Sequence, residues 1–314
     1  MERVTRTGVV VTACVVTILA VSVAVQATRQ RCEWGTFIYS VAVENPTSQE
    51  DWRNDIGALV EGEERVVTYD HLAMDAAISP DGKQVVVTKG KGPTDDEYAG
   101  VDPVGLYIWD VDGFGIRRLT EGPGGTSLDW SPDGETIAYI SDRGIRAVDV
   151  EDGDERDVYE LPPSDGPNPD YIFDLAWSGD SERIAFFVES QGKGGTDLFT
   201  VRTDGSGLHH VLNTESVTDQ LAWSPQGDKF AWWGHYKNVP SLMLADASSG
   251  KVKQVEPWGS NPVWSKDGSQ LAYVISHEGH YAPRIVVGDS NGEGEEAIPK
   301  PRKPAGGFTD WASC

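Results

Sequence analysis

The chain has 314 residues, and its 26 Lys+Arg stand against 50 Asp+Glu, a formal net charge of −24. A body this acidic repels nucleic acid and polyanionic sugar, because binding to phosphate rests on Lys and Arg neutralisation. The length suffices for one large domain with a well-buried core.

In chain order, the first feature is Gly8 to Ala27, an uncharged run of 20 residues with Arg3 and Arg6 before it and Arg29 and Arg31 after it. About 20 apolar residues cross a bilayer. The basic start and the Val25-Gln26-Ala27 ending also suit a secretory signal cut after Ala27. Two readings stand: a retained signal anchor, which the length of the apolar run favours, and a cleaved signal peptide. Both export the body. Residues 1–31 are then an export segment and 32–314 the folded domain, with 22 basic against 49 acidic residues, or −27.

Beyond this segment, EWGTFIYSVAV (33–43) and two short apolar pieces near 56–60 and 65–69 read as strands. A phrase then recurs five times. AAISPDGKQVVV (76–87) is followed by SLDWSPDGETIAYIS (127–141), LAWSGDSERIAFF (175–187), LAWSPQGDKFAWW (221–233) and PVWSKDGSQLAYV (262–274). Each alternates apolar and polar residues, turns at an Asp/Gly-rich step and runs back as a second strand. The marking serines, Ser79, Ser131, Ser178, Ser224 and Ser265, are 52, 47, 46 and 41 residues apart. Such a period, with two further strands per unit, belongs to a β-propeller blade. FTDWASC (308–314) is the opening half of a further phrase, and 33–43 matches a returning half. The expectation is an all-β, six-bladed propeller closed by one C-terminal and three N-terminal strands, since an open blade exposes unpaired edges. Trp130, Trp177, Trp223, Trp264 and Trp311 recur at one position of the innermost strands and read as inter-blade core.

These repeats resemble those of TolB-type propellers, which also precede prolyl-oligopeptidase hydrolases. The resemblance covers the body of the chain and implies the fold, not an activity. The resemblance further implies, for TolB, a separate N-terminal α/β domain that partners a trans-envelope complex and, for the peptidases, a following hydrolase domain; the expectation here is a propeller with neither.

In an up-and-down blade the connections alternate between two faces of the ring. One face carries short acidic turns, with Asp81, Asp133, Asp152, Asp204 and Asp267, whose chemistry is that of tight turns and lacks the spacing of a calcium loop. The other face carries the longer stretches 90–105, 162–173, 234–241, 257–261 and 276–284. Long loops on a rigid scaffold concentrate binding residues. The expected anchors there are Tyr171, Tyr236, Trp258 and Tyr281, for an envelope or extracellular protein or peptide. There is no GxSxG, HExxH or CxxC, so the first reading is a non-catalytic binding or scaffold module without a cofactor. The alternative is a metal-dependent polysaccharide lyase or hydrolase, with His235, His277 and His280 holding a divalent metal. Aligning the half-phrases places Cys314 at the end of one strand and Cys32 at the start of the next, where the other blades have a tight turn. An exported disulfide Cys32–Cys314 would replace that turn.

Overall fold

The computed structural model describes residues 37–43, 53–60, 63–68, 73–89, 105–112, 115–122, 125–142, 144–163, 170–190, 195–214, 217–275, 284–294, 296–297 and 308–311. All of the regular structure there is β. Strands β1 (Phe37–Val43), β2 (Arg53–Val60) and β3 (Glu63–Val66) pair in sequence order. Four-stranded antiparallel sheets follow. The first holds β4 (Ala73–Ile78), β5 (Gln84–Lys89), β6 (Gly105–Asp110) and β7 (Ile116–Arg118), and the second β8 (Thr126–Trp130), β9 (Thr136–Ser141), β10 (Gly144–Asp149) and β11 (Glu155–Glu160). The third holds β12 (Tyr171–Trp177), β13 (Arg183–Glu189), β14 (Thr196–Arg202) and β15 (His209–Thr214). The fourth is β16 (Val217–Trp223), β17 (Lys229–Tyr236), β18 (Val239–Asp246) and β19 (Val252–Pro257). The fifth is β20 (Gly259–Trp264), β21 (Gln270–Ile275), β22 (Arg284–Asp289) and β23 (Glu296–Ala297). The last strand, β24 (Phe308–Trp311), returns to pair with β1, Phe37 lying opposite Trp311, and completes a sixth four-stranded sheet, β24-β1-β2-β3.

The innermost strands β4, β8, β12, β16, β20 and β24 neighbour one another in that order, and β24 returns to β4. The molecule is an all-β propeller, and its core lies in the seams between sheets rather than at one centre. Ile56 and Val67 pack with Val85, Val87 and Trp109 in one seam, and Ile145, Val158, Ile184 and Phe186 fill another. Trp130, Trp177 and Trp264 are buried in such seams, as their recurrence predicts.

The repeated phrase folds through its serine. Ser79, Ser131, Ser178 and Ser265 each donate Oγ–H to the aspartate two residues on, at 2.7, 2.6, 2.6 and 2.7 Å. Each accepts in turn from the first N–H of the returning strand, at 2.9–3.0 Å. In LAWSPQGD a glutamine takes the usual aspartate position, and Asp228 accepts from Ser224 instead, at 2.8 Å. The left-handed position of the turn is glycine in Gly82, Gly134, Gly227 and Gly268, but Ser181, at φ 60°, in the third repeat. The acidic turns are therefore built from their own backbone: Asp149 accepts from Glu151 N–H at 2.8 Å and Asp152 from Asp154 N–H at 2.9 Å.

A second set of polar side chains staples sheet to sheet. Asp75 accepts from the Leu128 N–H at 3.1 Å, Asp129 from Trp177 N–H at 2.7 Å and Gln220 Oε1 from Asn261 N–H at 2.7 Å. Asp174 holds Leu221 N–H in the same way. Ser127, Asp174, Gln220 and Asn261 occupy one position of successive innermost strands and share a left-handed backbone, φ 51–70°. Each sits at a register shift, a bulge that in Asp174 and Gln220 turns the side chain toward the next sheet.

Two stretches expected as long loops are not loops. Residues 234–241 continue β17 and β18 around a two-residue turn, Lys237-Asn238, both left-handed at φ 51° and 65°. That is a type I′ hairpin, whose twist matches the strands it joins. At 257–261 only Trp258 lies between β19 and β20.

Candidate binding face

The seam between the third sheet (β12–β15) and the fourth (β16–β19) carries an aromatic filling that reaches the surface. Large aromatics occupy it: Phe173, Phe187, Trp223, Phe230 and Trp232. Side chains alternate along a strand, so Tyr171 and Phe173 share one face of β12, and Trp232 and Tyr236 share one face of β17. Phe173 lies opposite Phe187 in the pairing, and Tyr171 opposite Glu189. Four rings form a ladder from surface to core. Tyr171 and Phe173 have centroids 5.7 Å apart, Phe173 and Phe187 stack at 5.7 Å, and Phe187 meets Trp232 edge-on at 5.9 Å.

The outer end of the ladder is open to solvent, Tyr171 being 43% and Tyr236 40% exposed. Tyr171 donates its hydroxyl to the Glu189 carboxylate. Ionising the phenol would break that bond and set a second negative charge beside Glu189, so its pKa rises to about 12. Tyr236 ends β17, and the Lys237 Nζ sits 5.0 Å from its ring centroid. One carboxylate and one cation thus flank two exposed phenols on rigid strands.

The other expected residues divide. His235 alternates with Tyr236 on β17 and so faces the next seam, toward β20–β23; it pairs with Pro240, whose carbonyl accepts from the Trp258 N–H at 2.6 Å. Trp258 is left-handed, φ 64°, and half-buried. Tyr281, His277, His280, Cys32, Cys314 and the apolar run 8–27 lie outside the described residues. Among the described residues no three His, Cys, Asp or Glu side chains group closely enough to hold a metal ion. No helix there is long and apolar enough to cross a membrane. Sequence reasoning missed Glu189, Phe187 and Trp232 as supports of the two tyrosines. Their signal is only the alternation within FDLAW, IAFFVE and KFAWW, combined with a pairing that the sequence alone does not register.

No protein-family model matches the chain. An uncharacterized protein of Agrobacterium fabrum is 26% identical over 220 residues, 64% of this chain and 69% of that protein. A TolB homologue of Chlorobaculum tepidum is 32% identical over 113 residues, 35% of this chain, so the match spans only 26% of that relative. Among solved structures, TolB from Acinetobacter baumannii aligns over 90% of this chain and 67% of its own, with a TM-score of 0.62 at 15% identity. An oligogalacturonate lyase in complex with manganese aligns over 84% of this chain and 73% of its own, with a TM-score of 0.56 at 16% identity. At such identities the likeness is one of fold, a β-propeller similar to that of TolB.

Proposed function

We propose that the chain is an exported, non-catalytic binding or scaffold module. Its six sheets act as the blades of one ring, and the closing blade joins one C-terminal strand to three N-terminal ones. The partner is a protein or peptide of the envelope or cell exterior, docking on the face that carries Tyr171 and Tyr236, with Trp258 and Tyr281 extending the surface. The observation that carries this reading is the pair of exposed phenols at one end of one seam, backed by buried aromatics. Interfaces draw most of their energy from a few such anchors. Residues 8–27 tether the ring to the membrane where they are retained. The net charge of −24 disfavours nucleic acid.

The test is capture from an envelope fraction by wild type, by Tyr171→Ala/Tyr236→Ala, and by Ile116→Ala, an exposed apolar side chain of another sheet. Loss of capture confined to the double variant, with unchanged circular dichroism, is the expected result. Equal capture by all three rejects the site. A divalent metal that survives dialysis and is lost with His277→Ala would favour the lyase reading instead.

A further inference from the structure

At the opposite, turn-bearing end of the same seam lies a cleft of about 520 Å³. Leu208, Val211, Trp223 and Phe230 give it an apolar patch, and Arg183, Thr200 and His209 a polar one of similar extent. Leu208 is 46% exposed, and the indole N–H of Trp223 is buried with no acceptor among the described residues. A cleft of this size suits a small ligand.

The charge pattern at its edge departs from the repeat. Where the second strand of a sheet starts and the third ends, four sheets pair a residue with aspartate: Gln84 with Asp110, Thr136 with Asp149, Lys229 with Asp246 and Gln270 with Asp289. In the third sheet the pair is Arg183 with Arg202. Like charges directly opposite each other destabilise a sheet. Neither arginine makes a close ion pair among the described residues; Asp180 feels the charge of Arg183 and Asp204 that of Arg202 only at longer range. Arg183 is held in place, its Nη2 donating to Thr200 Oγ1 at 3.0 Å and to the Gly207 carbonyl at 3.1 Å. Arg202 lies along Gly207, another lining residue of the cleft. The carboxylates of the surrounding turns make their hydrogen bonds within the turns: Asp180 with the Ser178 hydroxyl, Asp204 with Ser206 N–H and Asp228 with the Ser224 hydroxyl. Glu182 is exposed beside Arg183.

We propose that this turn-face cleft binds an apolar monocarboxylate, its carboxylate bridging Arg183 and Arg202 and its body lying against Leu208, Trp223 and Phe230. Planar guanidinium groups match a carboxylate's two oxygens. The patch of Leu208, Val211, Trp223 and Phe230 beside the arginines suits an apolar body, and a net charge of −24 favours one negative charge on the ligand over two. The same chemistry is offered by a free small acid and by the C-terminus of a peptide ending in an apolar residue. The site lies at the other end of the seam from the tyrosine pair and stands or falls separately from the function proposed above.

The test is titration calorimetry of the full exported chain with 3-phenylpropanoate, its amide, Gly-Gly-Phe and Gly-Gly-Phe amide. Arg202→Asp installs the aspartate of the other sheets and so keeps the fold. Saturable one-to-one binding of the acid is expected, at least about tenfold weaker for the amide and for Arg202→Asp, as for loss of a charge-assisted hydrogen bond. Arg202→Asp should also melt at or above the wild-type temperature, because the like-charge pair is gone. Tighter binding of Gly-Gly-Phe than of 3-phenylpropanoate assigns the site to a peptide C-terminus, and the reverse order to a free acid. Absence of binding to wild type, equal affinity for acid and amide, or undiminished binding by Arg202→Asp overturns the proposal.

Discussion

Tyr171 keeps its proton through Glu189, and that bond also fixes the ring that caps the aromatic ladder. Tyr171→Phe retains the ring and should therefore weaken partner capture less than Tyr171→Ala; equal losses would show that the hydroxyl, not the ring, is the anchor. The turn aspartates carry a different signature. The Ser248 and Ser249 hydroxyls and N–H groups converge on Asp246 and hold its pKa down to about 2. An unfolded aspartate titrates near about 3.9. Its contribution to stability is thus complete above that pH and is lost as the pH falls through the folded value. Asp246→Ala should lower the melting temperature at pH 7, with the gap closing between about pH 4 and pH 2. A gap unchanged at pH 2 would refute the assignment. At this scale the sequence is legible where partners lie two to five residues apart, as in Ser-x-Asp. Glu189 and Arg202 escape it because each draws its meaning from a neighbour 18 or 19 residues away across a strand pair.

Strands and seams hold the next level of detail. The carboxylate of Asp129 accepts the N–H of Trp177 from the adjoining sheet, and its backbone carbonyl accepts that residue's indole N–H at 3.1 Å. Asp129→Ala leaves a part-buried N–H without its acceptor and should cost about 2 kcal/mol in denaturant unfolding. Trp232→Ala removes the innermost ring of the ladder from a fully buried site, with a loss of about 3–5 kcal/mol. A loss under about 1 kcal/mol would mean that the seam collapses around the gap. The hairpin at Lys237-Asn238 was hidden by composition: GHYKNVPS reads as polar and turn-rich, yet His235 and Tyr236 extend an alternating strand. Two left-handed residues with side chains, rather than glycine, make the turn. The inter-sheet staples were equally hidden, since a bulge at Asp174 or Gln220 leaves no mark in a periodicity count.

For the whole molecule, the recurring serine, the Asp/Gly turn and the period of 41–52 residues carry the all-β propeller directly. The function is less legible because a repeat encodes scaffold, whereas a site is made by departures from it, such as exposed Tyr171 and Tyr236 or the arginine that replaces a recurrent aspartate. β24 pairs with β1, Phe37 opposite Trp311, and the proposed Cys32–Cys314 bond, whose cysteines lie outside the described residues, would crosslink that closing pair. So long a loop gains about 5 kcal/mol from a crosslink in the chain-entropy model. Peptide mapping without reductant should recover the two cysteines joined, and free thiols at both would reject the bond.

On the function proposed above, the partner docks on the end of the seam where Tyr171 and Tyr236 emerge. Amide hydrogen exchange of the ring with and without its captured partner tests this most directly. Slowed exchange over Tyr171–Phe173, around Glu189 and across Tyr236–Val239, with the turns near Gly207 and Gly227 unchanged, is the expected result. Protection at those turns alone, with the tyrosine end unaffected, would contradict it.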